Sequence, residues 1–123
     1  DAQMAVDAGA DAVIVSNHGG RQLDGAPASI DALPQIVSQI GDQACEIWMD
    51  GGIRSGQHIF KALALGATAT LIGRSYIYGL GAMGQPGVTK ALHILRNELD
   101  LTMAFCGLRD IHEVSDKVIW RSN

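Results

Sequence analysis

Apolar and polar positions along the chain fall into blocks whose spacing switches between helical and strand-like. Ala2–Ala8 has helical character, and Gly9 supplies the left-handed residue that commonly ends a helix. Ala12–Ser16 (Ala-Val-Ile-Val-Ser) is short, β-branched and apolar, which predicts a strand buried on both faces as in a parallel sheet. Ser29–Ile40 returns to helical spacing, with Leu33, Ile36, Val37 and Ile40 on one stripe. Ser29 opens this helix, Pro34 has to fit near its start, and Gly41 closes it. Glu46–Met49 is the next predicted strand, followed by a helix from Ser55 or Gly56 through Leu65, closed by Gly66. Ala69–Ile72 is a third strand, and Val88–Phe105 a long final helix carrying Leu92, Leu95, Leu99 and Met103.

A faint repeat underlies the blocks. Ala8-Gly9-Ala10-Asp11-Ala12 leads into Val-Ile-Val, and Leu65-Gly66-Ala67-Thr68-Ala69 leads into Thr-Leu-Ile. The helix-ending glycines stand at positions 9, 41 and 66, and a strand, a helix and two loops take about 30 residues, so consecutive βα units fit. Parallel strands with right-handed crossovers build either an open doubly wound sheet or a closed eight-fold barrel. The open sheet is weakened because no strand is followed by Gly-x-Gly-x-x-Gly with an acidic residue about 20 positions on. A (β/α)₈ barrel takes about 250 residues, so this chain of 123 residues would supply under half of one. Three strands alone would leave unpaired edges and apolar faces in water. The expectation is an α/β fragment of a larger domain.

Composition removes several function classes. Hydrophobic residues make up 47% of the chain, enough for a packed core. A net charge of −4 and a pI near 5.4 give no basic field for nucleic acid. No apolar run approaches the ~20 residues of a membrane-spanning helix, and no signal-peptide pattern is present. Cys45 and Cys106 lack CxxC spacing and read as buried free thiols in a reducing compartment.

The chemistry gathers where strands end, which in a βα barrel is where the active site lies. The first strand runs into Ser16-Asn17-His18-Gly19-Gly20-Arg21-Gln22-Leu23-Asp24-Gly25, the second into Asp50-Gly51-Gly52-Ile53-Arg54-Ser55-Gly56, and the third into Gly73-Arg74-Ser75. Three of the six arginines sit at these ends, each near glycine. Glycine lets backbone N–H groups approach a ligand, a helix N-terminus adds partial positive charge, and arginine presents a planar fork of donors to phosphate or carboxylate. Each block alone also fits a plain turn; their recurrence points to an anion site. Asp50 is either a helix cap or an acceptor for a ligand hydroxyl. His18 is the most informative residue, because imidazole exchanges protons near neutrality and Arg21 three positions on offers a hold for a carboxylate. His58, His93 and His112 read as structural, and Asp24 as either a partner of the site or a turn former.

These blocks, with Ala64-Leu65-Gly66-Ala67 and Ile72-Gly73-Arg74, resemble the FMN-dependent 2-hydroxy acid oxidoreductases. That family includes L-lactate dehydrogenases and oxidases, glycolate oxidase, lactate monooxygenase and mandelate dehydrogenase. The resemblance runs from about Asp1 to Glu113, with His-Gly-Gly-Arg-Gln-Leu-Asp as its specific block. It implies that residues 1–123 are the C-terminal portion of one FMN-binding TIM (β/α)₈ barrel domain, with about three strands and their helices. His18 then matches the catalytic base and Arg21 the anchor of the substrate carboxylate. Asp50, Gly51, Gly52, Arg54, Gly73 and Arg74 match the positions that hold FMN. The implied reaction takes a small 2-hydroxy acid, L-lactate above all, to the 2-oxo acid, with oxygen, a quinone or a cytochrome as the final electron acceptor. It also implies a missing N-terminal half with further site residues, and an intact protein assembling as a homotetramer or larger. The expected location is the cytoplasm, with peripheral attachment to the inner membrane as the alternative. Two other readings stay open: an FMN barrel of isomerase or nucleotide-dehydrogenase type, and a non-catalytic flavin- or phosphate-binding module.

Overall fold

A computed structural model describes residues 1–120 of the chain. Its regular elements follow in the order α1 (Ala2–Asp7), β1 (Ala12–Val15), α2 (Ser29–Ile40), β2 (Glu46–Met49), α3 (Gly56–Ala64), β3 (Ala69–Thr70), α4 (Arg74–Met83) and α5 (Gln85–Phe105), with short 3₁₀ turns at His18–Gly20, Ile111–Glu113 and Asp116–Val118. The three strands form one parallel sheet in chain order, with Val15 opposite Met49 and Met49 opposite Thr70. Parallel neighbours joined through helices place every strand's C-terminal end at the same edge of the sheet. The three arginine-bearing loops therefore leave from one side of the molecule.

The core lies between the sheet and the helices that cross over it. Val15, Ile47 and Met49 from the strands meet Leu33 and Ile40 of α2, Ala62 of α3, and Ile53 and Ala67 from the loops. The stripe expected on α2 is present, with Leu33 and Ile40 almost fully enclosed and Ile36 and Val37 packed beside them. Pro34 sits six residues into the helix and is tolerated on the exposed side.

Several expectations need correction. β1 is not buried on both faces: Val15 is 5% exposed, but Ile14, pointing the other way, is 50% exposed, and Leu71 beyond β3 is 37% exposed. Alternate residues of a strand face opposite sides, and the side away from the helices is uncovered. β3 is two residues long rather than four. α2 does open at Ser29 and end at Ile40 as expected, with Ala28 as its N-cap, and the Ser29 hydroxyl accepts a hydrogen bond from the Asn17 N–H. Cys106 is exposed and Cys45 half-buried, because Cys106 follows the last residue of α5 at that helix's outer end. α5 starts three residues earlier than predicted, and Leu92 on it is half-exposed while Leu95 and Met103 are buried.

α4 is absent from the sequence reading. Gly84 ends it and begins α5, and Pro86 falls in the first turn of α5, where its missing N–H has no partner to lose. α5 packs along both α3 and α4. The contacts are close: a Cβ on Gly56 would overlap the backbone of Glu98 and Leu99, and one on Gly79 or Gly87 would run into the backbone of the other. Glu98 also reaches from α5 to accept the Gly56 N–H at 2.8 Å, satisfying one of the open donors at the start of α3.

Candidate functional site

The loop after β1 begins with Asn17, whose side chain folds back to accept the Gly19 N–H at 3.0 Å. The next three residues all have positive φ: His18 at 55°, Gly19 at 66° and Gly20 at 72°. Glycine adopts this region freely, whereas an L-residue pays about 1–2 kcal/mol to do so. His18 is the one non-glycine residue with positive φ among those described. Strain of this kind collects where the direction of a side chain matters.

The loop after β2 is built on Gly51 and Gly52, with φ of 87° and 78°. Gly51 has no room for a side chain, because a Cβ would stand 2.9 Å from the Ser29 hydroxyl and 3.1 Å from Asn17 Oδ1. Ser55 then caps α3, accepting the His58 N–H at 3.3 Å. The His58 ring turns back so that Nδ1 accepts the Arg54 N–H at 3.2 Å. After β3, Gly73 caps α4 and Arg74 is its first residue. The Ser75 hydroxyl donates to the Ile53 carbonyl at 3.2 Å, tying this loop to the previous one.

All eight residues singled out in the sequence meet around one cavity. His18, Arg21, Asp50, Gly51, Gly52, Arg54, Gly73 and Arg74 line a space of about 550 Å³, closed on its apolar side by Ile53, Leu71, Ile72 and Ile77. A second space of about 470 Å³ adjoins it through Gly19, Gly51, Gly52, Ile53 and Arg74, and is also lined by His58 and Lys61. Arg74 reaches across the glycines toward the His18 loop, its Nη2 lying 3.7 Å from where a Gly19 Cβ would be.

The donors and acceptors at this cavity are largely unspent. No described residue offers a hydrogen bond or ion pair to the guanidinium of Arg21, Arg54 or Arg74, nor to the His18 ring. The N–H groups of Gly51, Gly52 and Gly73 likewise have no acceptor among the described residues. Asp50 Oδ1 is buried without a partner, which rules out its role as a helix cap and suits an acceptor waiting for a ligand hydroxyl. A buried acceptor left unmatched costs about 1–3 kcal/mol. Two guanidinium groups, those of Arg54 and Arg74, with three free N–H groups and one orphaned carboxylate oxygen fit a phosphorylated polyol such as the ribityl phosphate of FMN, which leaves Arg21 for a second anion. Asn17, Ser29 and His58 went unrecognised as parts of this site in the sequence, because each acts through a backbone group that the fold brings to it. Among the described residues, no helix is long and apolar enough to cross a membrane, and no cluster of His, Cys, Asp or Glu is placed to hold a metal ion.

Known proteins share much of this sequence and its fold. Residues 1–121 match the FMN-dependent dehydrogenase family. The chain is 52% identical over 115 residues to the pre-mycofactocin synthase of Mycobacterium tuberculosis, covering 94% of this chain and 29% of that protein. It is equally 52% identical over 114 residues to an L-lactate oxidase of Nostoc sp., covering 93% of this chain and 31% of that protein. Among solved structures it superposes on (S)-mandelate dehydrogenase, a monotopic membrane protein, with a TM-score of 0.94 and 43% identity over 99% of this chain and 32% of that one. The chain thus spans about 30% of the length of the curated relatives it matches. Its parallel sheet and helices correspond to part of the TIM barrel of such FMN enzymes.

Proposed function

The chain belongs to the FMN-dependent dehydrogenase family, and from that premise we propose that it is the C-terminal portion of a single barrel domain whose whole protein oxidises a small L-2-hydroxy acid, L-lactate by preference, to the 2-oxo acid. One observation carries the reading: a histidine and an arginine from the β1 loop line the same cavity as the residues suited to the flavin.

Arg21 takes the substrate carboxylate through its two-pronged donor face, which fixes the orientation of the carbon beside it. His18, on the same loop, then accepts a proton from that CH–OH group. Oxidation to C=O removes two protons and two electrons: His18 would hold one proton, and FMN, when bound, would take up the electron pair together with the other. Arg54, Arg74 and the free N–H groups of Gly51, Gly52 and Gly73 would hold its phosphate, and Asp50 Oδ1 would be the acceptor for one of its hydroxyls. Ile53, Leu71, Ile72 and Ile77 give the cavity an apolar wall. Oxygen, a quinone or a cytochrome takes the electrons onward. Assembly as a homotetramer or larger and a cytoplasmic location belong to the same proposal.

The equal identity to a lactate oxidase and to a pre-mycofactocin synthase shows that overall identity in this third of the barrel does not rank their substrates. The choice of L-lactate is therefore tested on the whole protein. Under anaerobic conditions L-lactate should bleach the flavin absorbance, and glycolate or mandelate should do so more slowly. His18→Gln should remain yellow and flavin-loaded with turnover lower by about 10²–10⁴-fold. Bleaching by no 2-hydroxy acid at all would leave the isomerase or non-catalytic reading in its place, and near-normal turnover in His18→Gln would remove the role given to that residue.

A further inference from the structure

We infer that Asn17 is a positioning residue for His18, holding the left-handed turn that aims the imidazole into the cavity; this rests on the reading of His18 as the base. Every polar group of Asn17 is engaged. Its N–H donates to the Ser29 hydroxyl at 3.2 Å, its carbonyl accepts the Gly20 N–H at 3.0 Å, Oδ1 accepts the Gly19 N–H at 3.0 Å, and Nδ2 donates to the Pro27 carbonyl at 3.2 Å. These four bonds bracket the loop from both sides: Gly19 and Gly20 lie just past His18, and Pro27 and Ser29 lie on the returning strand of chain.

The contrast with His18 and Arg21 is informative. No side chain among the described residues holds theirs, so within this chain their direction is set through the backbone that carries them. Three consecutive residues with positive φ, one of them histidine, form a conformation that a free loop would leave for a relaxed one. The Asn17 carboxamide closes this turn over His18, and the Ser16 hydroxyl adds a bond from the His18 N–H at 3.1 Å.

The bracket is also wedged in place. Ser29 is 5% exposed, and Gly51 presses so closely on Ser29 Oγ and Asn17 Oδ1 that a Cβ there would stand 2.9 and 3.1 Å from them. Gly51 belongs to the loop that carries Asp50 and Arg54, so the same junction fixes the imidazole relative to the residues proposed for the flavin. Asn17 lines the adjoining space and not the cavity of His18 and Arg21. With each of its polar atoms already bonded within the loop, it acts through His18 and not on the substrate.

The test uses the flavin-loaded whole protein. Asn17→Ala should lower kcat with L-lactate by about 100-fold, the scale of loss for a reacting group displaced by an ångström, while KM and flavin content change little. Asn17→Asp keeps the acceptor for the Gly19 N–H and should recover most of the lost kcat. A purely structural role would instead lower folded yield or flavin content and leave kcat per bound flavin intact, and that result overturns the inference. If Asn17→Ala does not accumulate as folded holoprotein, Ser29→Ala gives the same comparison: a fall in kcat per flavin upholds the inference and wild-type kcat overturns it. If the parent protein reduces its flavin with no 2-hydroxy acid, the reading of His18 as a base fails separately. Amide hydrogen exchange at Gly19 and Gly20 then decides the bracket, faster exchange in Asn17→Ala upholding it and unchanged exchange removing it.

Discussion

Arg21 and Asp50 stand in opposite ways at the proposed ligand site. The Arg21 guanidinium is exposed and unpartnered, so removing it costs the protein little and the substrate much. Arg21→Met should raise KM for the hydroxy acid by about 10- to 150-fold, the equivalent of losing a charge-assisted pair of about 1.5–3 kcal/mol, as read from steady-state kinetics on the whole protein. Asp50 keeps a buried acceptor without a donor, so Asp50→Ala should leave the flavin-free protein as stable as before or more so, yet weaken FMN binding by about tenfold. Thermal melting and fluorescence titration separate the two effects. These residues were legible in the sequence because strand-end loops rich in glycine and arginine are local patterns. Asn17, Ser29 and His58 were not, because their roles depend on partners that meet only after the chain has folded back. The Asn17–Ser29 bond spans 12 positions, and His58 returns its ring to an amide four residues earlier.

The strands and the helices α2 and α3 were readable because burial imposes its own period on them. α4 was not, and the reason lies in its composition: Gly79 and Gly81 lower helix propensity, and Tyr76, Ile77, Tyr78, Leu80 and Met83 are all more than a third exposed, so no clean polar face marks the helix. What makes it a helix is the meeting of its backbone with that of α5 at Gly79 and Gly87, a tertiary contact that leaves no periodic trace. The exposed side of β1 is the uncovered apolar face expected of three strands alone, since a continuous apolar run reports that both faces prefer burial and not that both are covered. Gly56 marks another close meeting between elements, that of α3 with α5. Gly56→Ala should destabilise the protein by about 1–3 kcal/mol or more, because neither α3 nor the backbone at Glu98 and Leu99 can yield cheaply. Urea unfolding of the whole protein, followed by far-UV circular dichroism, measures it.

At the scale of the molecule, three successive βα units deliver three arginines to one edge of a sheet, and no carboxylate among the described residues forms an ion pair with them. The local positive charge of an otherwise acidic chain is thus concentrated at the proposed anion site. FMN at a hundredfold excess over its Kd should therefore stabilise the whole protein by about 2.7 kcal/mol, and Arg54→Ala or Arg74→Ala should shrink the rise in Tm at the same flavin concentration. The carboxylate of Glu98, 42 residues after the Gly56 N–H that it accepts, extends this arrangement to the outermost helix. A chimaera that borrowed α5 from a relative would have to bring with it an acid at 98 and keep a bare α-carbon at 56. With only one of the two, the turn carrying Arg54 would lose its footing even though every residue touching the ligand had been preserved.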